Sequence, residues 1–120
     1  MSAPDPVLDP AAVVRLQRLG GDKLVVQMIR LYLENAGERL GQIDAGLGND
    51  ADLDETRRGA HSLRSSAANV GALRVSALAG ELESVAEAGD REAARRLRDP
   101  LADALTAARS HLDAVREELA

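Results

Sequence analysis

The feature that most constrains this fold is a set of apolar stripes with spacings of three and four residues. The cleanest stripe comprises Leu97, Leu101, Leu105, Ala108, Leu112, Val115 and Leu119. This spacing places side chains on one face of an α-helix, whereas a half-buried strand requires strict alternation. The apolar residues are almost all alanine, leucine and valine, and Tyr32 is the single aromatic residue. Because alanine and leucine favour helices and aromatic residues favour strands, the sequence predicts an all-α fold.

Turn signals divide the chain into helices with short links. Asp9-Pro10 is typical of a helix start, and Gly20-Gly21 ends this short first helix. Four long amphipathic helices are predicted near 22–47, 51–70, 73–88 and 91–118. Asp99-Pro100 repeats the start signal inside the last helix, and the sequence leaves open whether that helix kinks or restarts there. We predict an antiparallel four-helix bundle with the short helix across one end, formed by residues 9–120 after a flexible leader at 1–8.

Composition excludes several classes of function. The 120 residues suit one domain, and the net charge of -5 argues against a general basic surface for nucleic acid. The absence of cysteine excludes disulfides and thiolate metal sites, and no apolar run approaches the ~20 residues of a membrane span. We expect a cytoplasmic monomer with no bound cofactor or metal, no nucleic-acid partner and no membrane partner.

His61 is the main candidate for chemistry because of where its helix directs it. The apolar stripe of that helix passes through Ala60 and Leu63, and His61 points more than about 90° away from its centre. A core role is therefore disfavoured, while an idle surface histidine and a functional one both remain open. His111 has no second histidine at metal-ligand spacing, and we expect no role for it.

Three arginines make the turn around His61 locally basic. Arg57 and Arg58 lie four and three residues before it, and Arg64 lies three after it. Guanidinium groups suit the charge and the oxygen acceptors of a phosphoryl group. The same arginines could instead pair with Asp54 and Glu55 at helical spacing, and the sequence alone leaves the two interpretations equal.

The segment 60–72 (AHSLRSSAANVGA) resembles the signature of histidine-phosphotransfer domains. The match comprises the histidine, a leucine two residues on, a run of small residues, an asparagine, an aliphatic residue and Gly-Ala. A Leu-Glu pair follows at Leu82 and Glu83. Two positions depart from the family pattern: Arg64 replaces the usual lysine, and Ser65 replaces the usual glycine.

The resemblance implies a phosphorelay intermediate and a phosphocarrier rather than a stand-alone enzyme. His61 would be the phosphoacceptor, and Arg64 would stabilise the phosphoryl group. Partner docking is expected around Ser65, Ala68, Arg57, Arg58 and Glu83. The partners would be response-regulator receiver domains or a hybrid sensor kinase, with the receiver supplying the catalytic aspartate and Mg²⁺.

Two other classes of protein compete with this interpretation. A non-phosphorylated helical module could dock on a receiver or kinase, although such a degenerate member would typically lose its histidine. A dimerising structural bundle would require a second long apolar stripe, which no helix carries.

Overall fold

The computed structural model describes residues 6–120, which form helices and no strands. The four helices are α1 (Pro10–Leu47), α2 (Asp54–Val70), α3 (Leu73–Glu87) and α4 (Arg91–Leu119). Each helix packs against the next, and α4 packs back against α1, which closes the bundle. Consecutive helices are antiparallel because links of two to six residues return the chain along its neighbour. The predicted all-α four-helix bundle is confirmed.

The predicted short first helix is present as the N-terminal segment of a kinked α1. Gly20 and Gly21 have non-helical backbone angles, and the φ of Gly21 is +72°. The backbone N–H of Asp9, just before this segment, donates to the carbonyl oxygen of Gly71 in the α2–α3 turn at 2.7 Å. A Cβ atom on Gly71 would lie 2.7 Å from the Cβ of Ala12, and the φ of Gly71 is +78°. Glycine at position 71 therefore allows both the left-handed turn and the close approach of the segment.

Residues 1–5 of the predicted leader lie outside the described residues. The carbonyl oxygen of Pro6 accepts a hydrogen bond from the backbone N–H of Arg74 at 3.1 Å. Val7 and Leu8 pack against the core. The last part of the predicted leader is thus held against the bundle.

One predicted helix boundary differs from the structure, and one open question about α4 is answered. α2 begins at Asp54 rather than near residue 51. In the preceding loop, the backbone N–H of Ala51 donates to the side chain of Asn49, and the backbone N–H of Asp54 donates to the side chain of Asp52. Such local bonds stabilise a turn in place of a helix. At the other end of the chain, α4 continues through Pro100 without restarting.

The core follows the predicted apolar stripes in α2 and α4, and Leu63 on α2 and Leu82 on α3 are fully buried. Over residues 24–31, just after the bend in α1, the buried positions depart from a single apolar stripe. Val25 and Ile29 are buried, whereas Leu31, which a stripe through Met28 and Tyr32 would include, is 42% exposed. The physical reason is that α1 packs against both α2 and α4, so its buried surface is wider than a single stripe.

Candidate functional site

The candidate site lies midway along the antiparallel pair of α2 and α3. His61 on α2 and Glu83 on α3 are each eleven positions from Ala72 in the turn between these helices. Because both helices rise about 1.5 Å per residue, equal distances from the turn bring the two residues to the same height. The helical pair therefore places a carboxylate beside the histidine.

The carboxylate of Glu83 contacts both candidate residues of α2. Its Oε2 atom lies 2.6 Å from Nδ1 of His61, and its Oε1 atom lies 3.3 Å from a terminal guanidinium nitrogen of Arg64. The side chain of His61 is 56% exposed, while that of Glu83 is only 15% exposed. The largely buried carboxylate of Glu83 thus fixes the Nδ1 edge of the His61 imidazole, while the opposite edge faces solvent.

This contact determines which ring nitrogen can act as a nucleophile. An ionised carboxylate only accepts hydrogen bonds, so we assign the ring proton of His61 to Nδ1, which donates a hydrogen bond to Glu83. In the neutral ring, Nε2 then holds the free lone pair. A carboxylate that fixes the tautomer and orientation of a histidine is a recurring device for preparing this ring for reaction.

The side chain of Arg64 crosses from α2 onto α3. A Cβ atom on Gly80 would lie 3.3 Å from Cδ of Arg64, so the lack of a side chain there leaves room for the arginine stem. Arg64 and Gly80 are each eight positions from Ala72, and therefore lie at the same height. In this position the guanidinium contacts Glu83, and the side chain of Arg64 remains 47% exposed.

Arg57 and Arg58 do not join this cluster. Both pair with Asp54, at 3.0 Å and 2.9 Å respectively. Glu55 instead accepts a hydrogen bond from the side chain of Gln42. For Arg57 and Arg58 the structure therefore favours helical pairing over contact with His61, and their part in partner docking stays a prediction.

Ser65 and Ala68 are exposed on α2, on the same side as His61. A groove of about 530 Å³ begins beside Ala68 and passes onto the N-terminal segment of α1, where Leu16 and Leu19 line it. Leu19 is 79% exposed. Sequence analysis missed this apolar surface, because only the bend at Gly20 and Gly21 brings the segment beside α2.

His111 lies on α4, which packs against α1 and α3 but not against α2. It is exposed and far from the His61 cluster in the bundle. Within residues 6–120 there is no group of three or more histidine, cysteine, aspartate or glutamate side chains arranged to hold a metal ion. Over the same residues, no helix combines the length and apolarity needed to cross a membrane.

The site thus presents an exposed histidine on a helical bundle, oriented by a carboxylate and flanked by an arginine. The chain matches the model of the Hpt domain over residues 27–118 and belongs to this family of histidine-phosphotransfer domains. It is therefore a phosphocarrier of the kind that serves as a phosphorelay intermediate, and not a stand-alone catalyst.

The chain is also similar to a curated sensory protein. It is 34% identical over 110 residues to the sensory/regulatory protein RpfC from two strains of Xanthomonas campestris pv. campestris. The match covers 90% of this chain but only 15% of the length of RpfC.

Solved structures share the fold. Histidine-containing phosphotransfer protein B from Pseudomonas aeruginosa PAO1 has a TM-score of 0.86 and 26% identity, over 94% of this chain and 96% of that chain. The phosphotransfer protein ZmHP2 from maize has a TM-score of 0.80 at 20% identity, over 94% of this chain and 84% of that one. The maize protein supports the fold alone.

Proposed function

We propose that this domain accepts a phosphoryl group on Nε2 of His61 from the aspartyl phosphate of one receiver domain and passes it to the aspartate of another. The observation that carries the proposal is the 2.6 Å contact between Nδ1 of His61 and the carboxylate of Glu83. It leaves Nε2 as the exposed nucleophile. Membership of the Hpt family supports the same role.

The proposed transfer requires one bond to form and one to break. The lone pair of Nε2 attacks phosphorus while the bond between phosphorus and the donor's aspartyl oxygen breaks, and the donor carboxylate leaves. No proton has to move at Nε2, because the ring proton remains on Nδ1. The negative charge of Glu83 offsets the positive charge that the ring gains. The reverse reaction on the acceptor's aspartate restores the neutral ring.

The partner would supply the rest of the chemistry. Phosphoryl transfer depends on in-line positioning and on neutralising charge at the phosphoryl oxygens. In this proposal the receiver contributes its aspartate and its Mg²⁺, and this chain contributes His61 and Arg64 without a cofactor of its own. A single copy supplies both residues, which supports action as a monomer. We propose the cytoplasm as the compartment.

The proposed partners are response-regulator receiver domains, presented separately or within a hybrid sensor kinase. The similarity to RpfC, which is described as a sensory/regulatory protein, supports a signalling partner. We propose that the receiver docks over Ser65 and Ala68 and reaches the apolar groove beside Leu19. Small side chains next to His61 leave room for the donor phosphate, and an exposed apolar groove favours burial against a partner.

The decisive experiment is incubation of the domain with candidate receivers that carry aspartyl phosphate. We expect acid-labile phosphate on the domain, and mapping of the modified peptide should place it on His61. Transfer to His111 alone would contradict the proposal. Receiver binding without any transfer would favour the second candidate, a non-phosphorylated docking module.

A further inference from the structure

We propose that Arg64 exchanges partners during phosphorylation, from Glu83 in the free domain to the phosphoryl oxygens on His61. Glu83 then has two tasks, because it orients the imidazole and also holds the arginine beside it until the phosphoryl group arrives. This inference rests on the proposed function of His61. It makes Glu83 a positioning residue that acts through both side chains.

The first support is that a single carboxylate serves both residues. Oε2 of Glu83 contacts the ring of His61, and Oε1 contacts the guanidinium of Arg64. The guanidinium is thus held on the same carboxylate as the ring that would carry the phosphate. Arg64 is three residues after His61 on the same helix, a spacing at which side chains are neighbours. A short rotation of the exposed end of Arg64 is therefore sufficient for the exchange.

The second support is the weakness of the resting pair. Arg64 reaches Glu83 through one nitrogen at 3.3 Å. By contrast, Arg98 binds Asp44 through two parallel hydrogen bonds of 3.0 Å, and its pKa is raised chiefly by the hydrogen bond to Asp44. Bidentate arginine pairs are the stronger and more specific kind. The chain therefore contains a fixed arginine pair between α4 and α1 and an exchangeable one at the site.

The third support is the path of the arginine stem. The space above Gly80 lets the stem lie across α3, which keeps the guanidinium close to Glu83 in the absence of phosphate. A phosphoryl group carries more negative charge than a carboxylate and has three acceptor oxygens. Once it is bound to Nε2, it competes with Glu83 for Arg64, and the released carboxylate stays beside the positively charged ring.

The test uses phosphoramidate, a small phosphoryl donor that modifies histidine without a receiver. The P–N bond of the reagent breaks, ammonia leaves, and the N–P bond to the imidazole forms. The pH midpoint of the ³¹P chemical shift of phosphorylated His61 is then followed in the unsubstituted domain, Glu83→Gln, Arg64→Ala and the double variant. Glutamine at 83 can still accept the hydrogen bond from Nδ1 but no longer attracts Arg64 as an anion. Phosphate on His111 provides an internal reference.

We expect Arg64→Ala to raise the midpoint, because a nearby cation favours the doubly charged phosphoryl group. Glu83→Gln should lower it by roughly 0.2 to 0.7 of a pH unit, the range set by exposed ion pairs. At least half of that shift should disappear when Arg64 is alanine. The signal from His111 should remain constant in all four proteins.

Two results would overturn the inference. An unchanged midpoint in Arg64→Ala would mean that this arginine does not reach the phosphate. An equal effect of Glu83→Gln with and without Arg64 would mean that Glu83 acts only by charge repulsion. The double-mutant comparison separates these cases because it isolates the coupling between the two residues.

Failure of the inference can be distinguished from failure of the proposed function. If no receiver phosphorylates the domain, the proposed function fails, while the phosphoramidate measurements still report on Arg64. If phosphoramidate modifies His111 but not His61, the assignment of Nε2 as a nucleophile is wrong, and this inference falls with it.

Discussion

His61 and Glu83 are 22 residues apart and lie on different helices, yet Nδ1 of the histidine is 2.6 Å from the carboxylate of the glutamate. The contact gives an exposed side chain a defined orientation and a defined tautomer. It also distinguishes His61 from His111, which has no such partner among the hydrogen bonds and ion pairs of residues 6–120.

The first prediction concerns the phosphoacceptor. His61→Gln should abolish phosphate acceptance from a receiver and change the free energy of unfolding by no more than about 0.5 kcal/mol, as is usual at exposed positions. Glutamine retains an N–H donor for Glu83 but has no nucleophilic nitrogen. Phosphate incorporation and a denaturant melt measure the two effects, and His111→Gln is the matched control. Histidine phosphorylation that persists in His61→Gln would move the site elsewhere.

The second prediction concerns the docking face. Ser65→Leu should leave the domain folded but markedly impair both receiver affinity and transfer, because bulk one helical turn from His61 keeps the donor phosphate away. Ser110→Leu is the matched control, since Ser110 is exposed on α4, the helix diagonal to α2. Receiver binding, transfer rate and a thermal melt are measured for both. Normal transfer by Ser65→Leu would mean that the partner approaches from another side, and the face should then be redrawn around Arg57 and Arg58.

The third prediction concerns the core beneath the site. Leu63→Ala and Leu82→Ala should each lower the free energy of unfolding by roughly 2–5 kcal/mol, because both side chains are fully buried. Leu31→Ala should cost roughly 1 kcal/mol or less, since Leu31 is substantially exposed. Urea melts of the three variants test the difference. Equal losses at all three positions would contradict the assigned burial.

The fourth prediction concerns the contact between α1 and α2. Gly46→Ala should destabilise the domain by about 1–3 kcal/mol or more, because the added methyl group would collide with the hydroxyl and backbone nitrogen of Thr56. Thr56 is buried and donates its hydroxyl hydrogen to the carbonyl oxygen of Ile43, so it has little freedom to move away. A denaturant melt measures the loss.

Gly41→Ala is the control for this prediction, since Gly41 is exposed on the same helix and has open space around it. Alanine there should stabilise the domain by up to about 1 kcal/mol through its higher helix propensity. A stabilising Gly46→Ala would show that the two helices can separate at this point at little cost.

The sequence by itself determined the helical class, the number of long helices and the outward direction of His61. These properties follow from local spacing, because a period of 3.6 residues fixes which side chains share a face. The turn at Gly71 and the bend at Gly20 and Gly21 were also readable from the sequence, since glycine is favoured where a helix ends or φ is positive. The family signature around His61 added the chemistry that periodicity alone left open.

Only the tertiary structure decided which charged groups meet. On α2, Arg57, Arg58 and Arg64 all had spacings that allow contact with the region of His61, yet two of them pair with Asp54 and one crosses to α3. Glu83 was expected only in the general surroundings of the docking surface, and the pairing of α2 with α3 places its carboxylate beside the ring. The sequence does contain one indication of this contact, because His61 and Glu83 are equally far from Ala72 along the chain. That equality predicts a contact only once α2 and α3 are known to pack against each other. Local spacing fixes the face on which a side chain lies, whereas its partner depends on which helices pack together and at what height.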